Sequence, residues 1–235
     1  MNEREVLARA SELVESEVTL CTSAIEATTS GTVRAKLMPI YRRMDKALSA
    51  STSKVDCGPG CDYCCYYHVL VTGAEVFALA EHINAQPADR RKTLSDRVVE
   101  TAKRVAPLSS VEYIQTNIPC AFLEDGRCTV YEARPSACRG FHSCDVKGCR
   151  AAFDDPTLND PNAWDPERQA ASIGYKNALL ASQYKAGCDA TSYEMHTALA
   201  EALTNRSAFK RWKAGKIAFP TVNDRVSIEE AAAGN

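Results

Sequence analysis

The sequence predicts a mainly α protein, a single helical domain wrapped around an irregular, cysteine-rich metal centre that includes a small β-hairpin. Two observations carry this. Apolar residues recur at three- and four-residue spacing along most of the chain, the mark of helices with one buried face. Nine of the eleven cysteines nevertheless crowd into two loop-rich windows, Cys57–Cys65 and Cys120–Cys149. Clustering of that kind has three causes: disulfides, a metal or iron–sulfur site, or a reactive thiol. The domain is expected to span residues 1–225 with the cysteine region at 55–150, and residues 226–235 read as a flexible tail.

Composition narrows the choice. Hydrophobic residues make up 45% and charged residues 25%, an ordinary balance for a chain that buries a core. The net charge of −2, with Lys and Arg dispersed, argues against a nucleic-acid partner, which needs a basic stripe to neutralise phosphates. Met1-Asn2-Glu3-Arg4-Glu5 is charged, and no apolar stretch suits a signal peptide or a bilayer span. The expectation is a cytoplasmic protein with no membrane partner. Thiols stay reduced in that compartment, and an odd cysteine count leaves at least one thiol outside any disulfide scheme, so metal binding is favoured.

The elements follow in order. Val6, Leu7, Ala10, Leu13, Val14 and Val18 mark a helix over 3–20, with Cys21 a small core residue beyond it; Thr28-Thr29-Ser30-Gly31 breaks the chain. Leu37, Tyr41, Met44 and Leu48 mark a second helix from Val33 to Leu48, which Pro39 would kink. Tyr66 to Val71 is short and β-branched, suited to a brief strand. Thr72-Gly73-Ala74-Glu75 fits a capping box opening a helix that Gln86-Pro87 closes. Another helix is expected from Ala88 to Val105, its Arg90, Arg91 and Lys92 on a solvated face. Asp125-Gly126 turns a small hairpin between Ala121–Leu123 and Cys128–Tyr131. The Asp-Pro pairs between Asp154 and Pro166 make a loop. Asp165 caps a helix with Pro166 in its first position, and Gly187 ends it. Thr191-Ser192-Tyr193-Glu194 reads as another capping box, opening a helix with Met195 and Leu199.

Thiolates are soft ligands suited to Zn, Cu(I) and iron–sulfur clusters. Cys57, Cys61 and Cys64 suit three corners of a four-iron cluster, with a second-window thiol as the fourth, and Gly58, Pro59 and Gly60 give the loop its tight backbone. Adjacent side chains diverge in an extended or turn segment, so one of Cys64 and Cys65 is expected to face a second ion or to pack. Spacing alone does not assign each sulfur to a site. Arg127, Arg134, Arg139 and Arg150 lie near the second window, either as donors to a negative centre or as surface residues; Arg134 and Arg139 are the cofactor-side candidates. His68 and His142 are candidate nitrogen ligands, set against the ordinary reading of histidines bonded to backbone. His82 and His196 read as surface or core residues, Tyr63, Tyr66, Tyr67 and Tyr131 as a cover against water, Glu75 as a helix cap, and Cys188 as inert.

Cys57-x3-Cys61-x2-Cys64-Cys65, then Pro119-Cys120-Ala121-Phe122-Leu123, Gly126-Arg127-Cys128-Thr129-Val130-Tyr131 and Arg134-Pro135-x2-Cys138-Arg139, resembles the YkgJ-type cysteine-cluster family, described as zinc- or iron-chelating proteins. The resemblance covers about residues 55–145. It implies a metal or iron–sulfur site at Cys57, Cys61, Cys64, Cys65, Cys120, Cys128 and Cys138, with Cys144 added. One branch of that family is similar to flagellin lysine N-methylases, which implies a cluster used with S-adenosylmethionine, and Cys57-x3-Cys61-x2-Cys64 has the radical S-adenosylmethionine spacing. The leading expectation is an iron–sulfur protein, 4Fe–4S in type and with a second metal site, acting in redox chemistry, metal handling or a cluster-dependent reaction on a protein partner or substrate. A structural zinc adaptor and an S-adenosylmethionine-dependent enzyme are the alternatives.

Overall fold

The computed structural model describes residues 1–58, 60–157 and 163–233. α1 (Glu3–Glu26) runs past residue 20 because Cys21 and Ile25 continue its buried face. Asn2 accepts the Glu5 N–H at 3.0 Å while Glu5 accepts the Asn2 N–H at 2.8 Å, a reciprocal cap. α2 (Val33–Leu48) carries Pro39 inside it and buries Leu37, Ile40, Tyr41 and Met44. β1 (Leu70–Thr72) is the brief strand expected after the first cysteine window, and it leads directly into α3 (Gly73–Asn84). Residues 73–80 of α3 are all buried, so this helix is enclosed by its neighbours rather than laid over a core. α4 (Ala88–Val105) buries the stripe Leu94, Val98, Ala102 and Val105.

A short α5 (Ser110–Ile114) precedes the second window. There the hairpin β2 (Leu123–Glu124) and β3 (Arg127–Cys128) pairs Leu123 with Cys128 and turns through Asp125 and Gly126, both at positive φ. α6 (Ser136–Gly140) and α7 (Val146–Asp154) follow. The Asp160-Pro161 pair of the expected loop lies outside the described residues. α8 (Pro166–Lys185) begins with Asp165 accepting the Arg168 N–H at 2.9 Å and gives way at Gly187, φ +66°.

The chain departs from expectation at 191–194. Ser192–Glu194 is not the first turn of a helix but a strand, β4, antiparallel to β1 with Val71 opposite Tyr193. Tertiary pairing overrides the local cap signal. Glu194 itself becomes the N-cap of α9 (Met195–Thr204), accepting the N–H groups of His196 at 2.9 Å and Thr197 at 2.7 Å. After α10 (Ala208–Lys213), β5 (Arg225–Val226) joins the far edge of β4. Residues beyond Val226, expected as tail, include a capped turn of helix, α11 (Ile228–Ala232).

One cluster of buried residues draws on α1, α2, α3, α4, α8, α9 and α10, and no helix among the described residues is long and apolar enough to cross a membrane. α1 lies along α8 in the most extensive helix pairing. A Cβ on Gly174 of α8 would meet Leu13 Cβ at 2.7 Å and the Ala10 carbonyl oxygen at 3.0 Å. Gly174→Val should force these two helices apart and cost about 1–3 kcal/mol, the usual penalty of overpacking; a lowered thermal midpoint, followed by circular dichroism, is the check.

Candidate metal centre

The first window leaves α2 as an exposed loop. Its Asp56 N–H donates to the Ser143 carbonyl at 2.9 Å, and the Asp56 carboxylate accepts the Val146 N–H at 3.3 Å, so the loop is pinned to the second window from its start. Cys61 N–H donates to Gly58 O at 3.0 Å, and Gly60 adopts φ +89°, a conformation that costs glycine nothing. Pro59 lies outside the described residues. Tyr63–Tyr66 then form a 3-10 turn. In such a turn successive side chains are roughly 120° apart rather than on opposite faces. Cys64 and Cys65 therefore diverge less than in extended chain, and the Cys64 thiol shares a hydrogen bond with that of Cys65.

The second window closes on this turn. Cys120 N–H donates to Cys65 O at 2.8 Å, joining residues that are far apart in sequence. A Cβ on Gly126, at the hairpin tip, would meet Gly60 O at 3.7 Å, so the hairpin carrying Cys128 abuts the first loop. Cys138 rides on α6, which is held at both ends. Ser136 N–H donates to Glu75 Oε1 at 2.7 Å, and the same carboxylate takes the Thr72 N–H and hydroxyl, both at 3.0 Å. Glu75 is thus the helix cap the sequence predicts, and it caps a second helix as well. At the other end, a Cβ on Gly140 would lie 2.0 Å from Ser172 Oγ of α8. α7 brings Cys149, with Phe153 packed against the rings of Tyr63 and Tyr66 at 5.6 and 4.8 Å.

No disulfide joins the two windows. Burial raises the Cys57 thiol, and Cys61, Cys64 and Cys149 raise it further; burial, Cys64 and Cys149 do the same to Cys61. Burial lifts Cys138 well above the usual range, with Cys120, Cys64 and Cys128 adding to it, and burial and Cys120 raise Cys128. The hydrogen bond to Cys65, then burial, pushes Cys64 far up. Against this, backbone N–H groups face three sulfurs: Ser143 to Cys57 at 3.3 Å, Tyr63 to Cys61 and Val130 to Cys128. Each lowers the thiol it faces, because it stabilises the thiolate. Arg134 acts the same way on Cys64, Cys128 and Cys138. Its guanidinium lies 3.8 Å over the Tyr131 ring, and its buried Nε has no hydrogen-bond partner among the described residues.

The remaining candidates have these partners. Arg139 is buried and committed to Asp45 at 2.7 Å, to Arg134 O at 2.9 Å and to Glu132 O, with its plane over Tyr41; it braces α6 instead of facing sulfur. Arg127 is exposed, and Arg150 pairs with Asp154. Cys144 is fixed by its N–H donating to Ala163 O at 2.8 Å. Cys149 is the second-window thiol that acts on Cys57 and Cys61, a role the spacing does not reveal. His142 donates from Nδ1 to Gly140 O at 3.0 Å and accepts the Asp165 N–H at Nε2 at 3.1 Å. His68 holds Asp224 at 2.7 Å. His142 follows the ordinary reading of a histidine bonded to backbone, whereas His68 pairs with a carboxylate.

His196 is the functional neighbour that sequence reasoning missed. It is buried, its Nδ1 donates to Glu194 Oε1 at 3.0 Å, and its Nε2 accepts the Ala121 N–H at 3.3 Å. Burial opposes its charging, but Cys120 and Glu194 outweigh burial and raise it. The signal was present only as a helix-start histidine beside Glu194; its proximity to Cys120 arises from packing of α9.

Among the described residues, no three Cys, His, Asp or Glu side chains are drawn to the spacing of a closed coordination sphere. The thiols converge without closing. The donor set is nonetheless soft sulfur with N–H groups already directed at it, which fits Zn²⁺ or an iron centre. Residues 56–162, just under half of the chain, match the CxxCxxCC family, a putative zinc- or iron-chelating domain. The match spans both cysteine windows, in keeping with the resemblance carried by the motifs. No curated protein and no solved structure matches the chain significantly.

Replacing Glu75 by Leu leaves the Ser136 and Thr72 N–H groups buried without an acceptor, at about 1–3 kcal/mol for each unsatisfied group. Chemical denaturation should show that loss, and α6 with Cys138 should become protease-sensitive. A second expectation concerns pH. The thiols of Cys57, Cys61, Cys64, Cys128 and Cys138 all titrate above their ordinary value of 9.0 in the fold. Unfolding lets them ionise at that lower value, so the metal-free fold should lose stability once the pH rises past about 9. Metal binding displaces protons and should tighten over the same rise. Thermal scans with and without Zn²⁺ from neutral to alkaline pH should therefore move in opposite directions.

Proposed function

We propose that this zinc- or iron-chelating cysteine-cluster protein carries an iron–sulfur cluster, of the 4Fe–4S kind, and works in redox chemistry or metal handling. The observation that carries the reading is the set of backbone N–H groups facing Cys57, Cys61 and Cys128. Such donors favour thiolate over thiol, and hydrogen bonds to sulfur tune the potential of a cluster. Cys57, Cys61 and Cys64 would hold three corners, with the fourth from another thiol of the centre. When bound, the cluster supplies a one-electron couple. The chain's own contribution is to hold the sulfurs, to balance their charge through Arg134, and to exclude water with Tyr63, Tyr66 and Phe153 packed ring to ring. His196, hydrogen-bonded to Glu194, holds the loop that carries Cys120 and Ala121. The S-adenosylmethionine alternative draws no support from the fold: its motif works within an alternating strand–helix barrel, whereas the described strands are two or three residues long.

The deciding measurement is metal and acid-labile sulfide per chain after anaerobic purification. Iron with matching sulfide and a brown charge-transfer absorption is expected, and Cys61→Ala combined with Cys64→Ala should abolish both. Stoichiometric zinc without sulfide would replace the cluster with a structural zinc site.

A further inference from the structure

The hairpin of the second window has little pairing of its own. β2 and β3 share two residue pairs, Leu123 with Cys128 and Glu124 with Arg127, and a two-stranded hairpin is marginal alone in water. Phe122 roots its base: the side chain is buried in the main core, and the Phe122 carbonyl accepts the Thr129 N–H at 2.8 Å and hydroxyl at 3.0 Å. Beyond the base, support comes from α4. Arg90 forks onto Glu124, Nη1 to Oε1 at 2.9 Å and Nη2 to Oε2 at 3.0 Å. Arg97 donates to the same carboxylate and to the Leu123 carbonyl. The two arginines stand about two helical turns apart and so share a face. Arg90 thus meets the hairpin, not the solvated side that the run Arg90-Arg91-Lys92 suggests; Arg91 and Lys92 are exposed.

The three side chains are 30 to 35% exposed. Ion pairs in that setting contribute little to global stability, and α4 is seated by its own buried stripe, Leu94, Val98, Ala102 and Val105. Geometry is what the contact supplies. A two-pronged guanidinium–carboxylate pair fixes orientation as well as distance, and here it orients the strand directly across from Cys128.

Resting on the zinc- or iron-chelating reading, we propose that Glu124, gripped by Arg90 and Arg97, is a positioning residue that holds the Cys128 hairpin ready for the metal. The affinity of the centre is then set in part from α4, outside both cysteine windows. The cysteine-free segment between the windows does more than span a gap: it carries the two arginines that steady the second window. Without the clamp, Leu123 and Glu124 are free to swing about Phe122, and Cys128, paired with Leu123, moves with them. Cys138, on α6, is held by Glu75 and Arg139 instead.

The test compares the full wild-type chain with Glu124→Gln, which keeps the size of the side chain and removes its charge. Zn²⁺ affinity is read by competition with a chromophoric chelator, and the alkylation rate of each cysteine in the metal-free chain by mass spectrometry. Glu124→Gln should weaken Zn²⁺ binding about 10-fold, the low end of the loss when a group supporting a metal ligand is removed. The thermal midpoint of the metal-free chain should barely move. Cys128 should alkylate faster while Cys138 keeps its rate. Arg90→Gln combined with Arg97→Gln should reproduce both effects, and adding Glu124→Gln to that pair should change little further, because the same contact is already lost. An unchanged Zn²⁺ affinity, an unchanged Cys128 rate, or equal acceleration of Cys128 and Cys138 would each overturn the clamp while metal binding stands. A wild-type chain that retains no metal under any loading condition would overturn the chelating reading instead, with the alkylation rates still deciding whether Glu124 holds Cys128.

Discussion

The Glu75 carboxylate, 2% exposed, receives the N–H and hydroxyl of Thr72, the N–H of Ser136 and, at 3.5 Å, the hydroxyl of Tyr41. A buried carboxylate is costly unless it is surrounded by donors, and these come from three parts of the chain: the start of α3, the start of α6 and the middle of α2. Moving any of the three strips the charge of a partner. Arg139 reinforces the arrangement from the other side, bound to Asp45 of α2 and to the carbonyls that lead into α6. The position of Cys138 is therefore set by polar contacts within the helical scaffold and not by the sulfurs it faces.

Charge sets the second constraint. Four thiolates exceed the charge of a divalent ion by two, and the sulfurs here lie where burial already disfavours ionisation. The compensation visible in the chain is modest: Arg134 over Tyr131, and the N–H groups of Ser143, Tyr63 and Val130. These are enough to bias a thiol toward thiolate but not to hold several thiolates together. A bound cation would supply the compensation these groups do not.

Much of this arrangement was legible because it depends on local signals. The helices over 33–48 and 88–105, the Thr72–Glu75 cap, the Asp165–Pro166 start and the Asp125-Gly126 hairpin are each specified by a few adjacent residues. What escaped depends on partners distant in sequence. Ser192–Glu194 carries a sound cap signal, yet Val71 opposite Tyr193 makes it a strand. Cys144 and Cys149 are both near Cys138 in sequence, and it is α7, docked through Phe153 against Tyr63 and Tyr66, that carries Cys149 to the first window. Arg134, just before α6, and Arg139, in its last turn, read alike, but Asp45 and Tyr41 claim one of them. His196 approaches Cys120 solely because α9 packs beside the second window.

Small metal domains commonly fold only when the ion is bound, because a handful of ligands is most of their core. This chain is built differently. The contact between the windows, Cys65 O to Cys120 N–H, closes a long loop, yet that loop is itself filled by α3 and α4, which bury their own apolar faces. Loop closure is thus supported by the hydrophobic cluster running through α1, α2, α3, α8 and α9 rather than by coordination. The glycine loop at Cys57 lies outside the core, where opening exposes little apolar surface and costs little, while α6 and the hairpin are anchored within it.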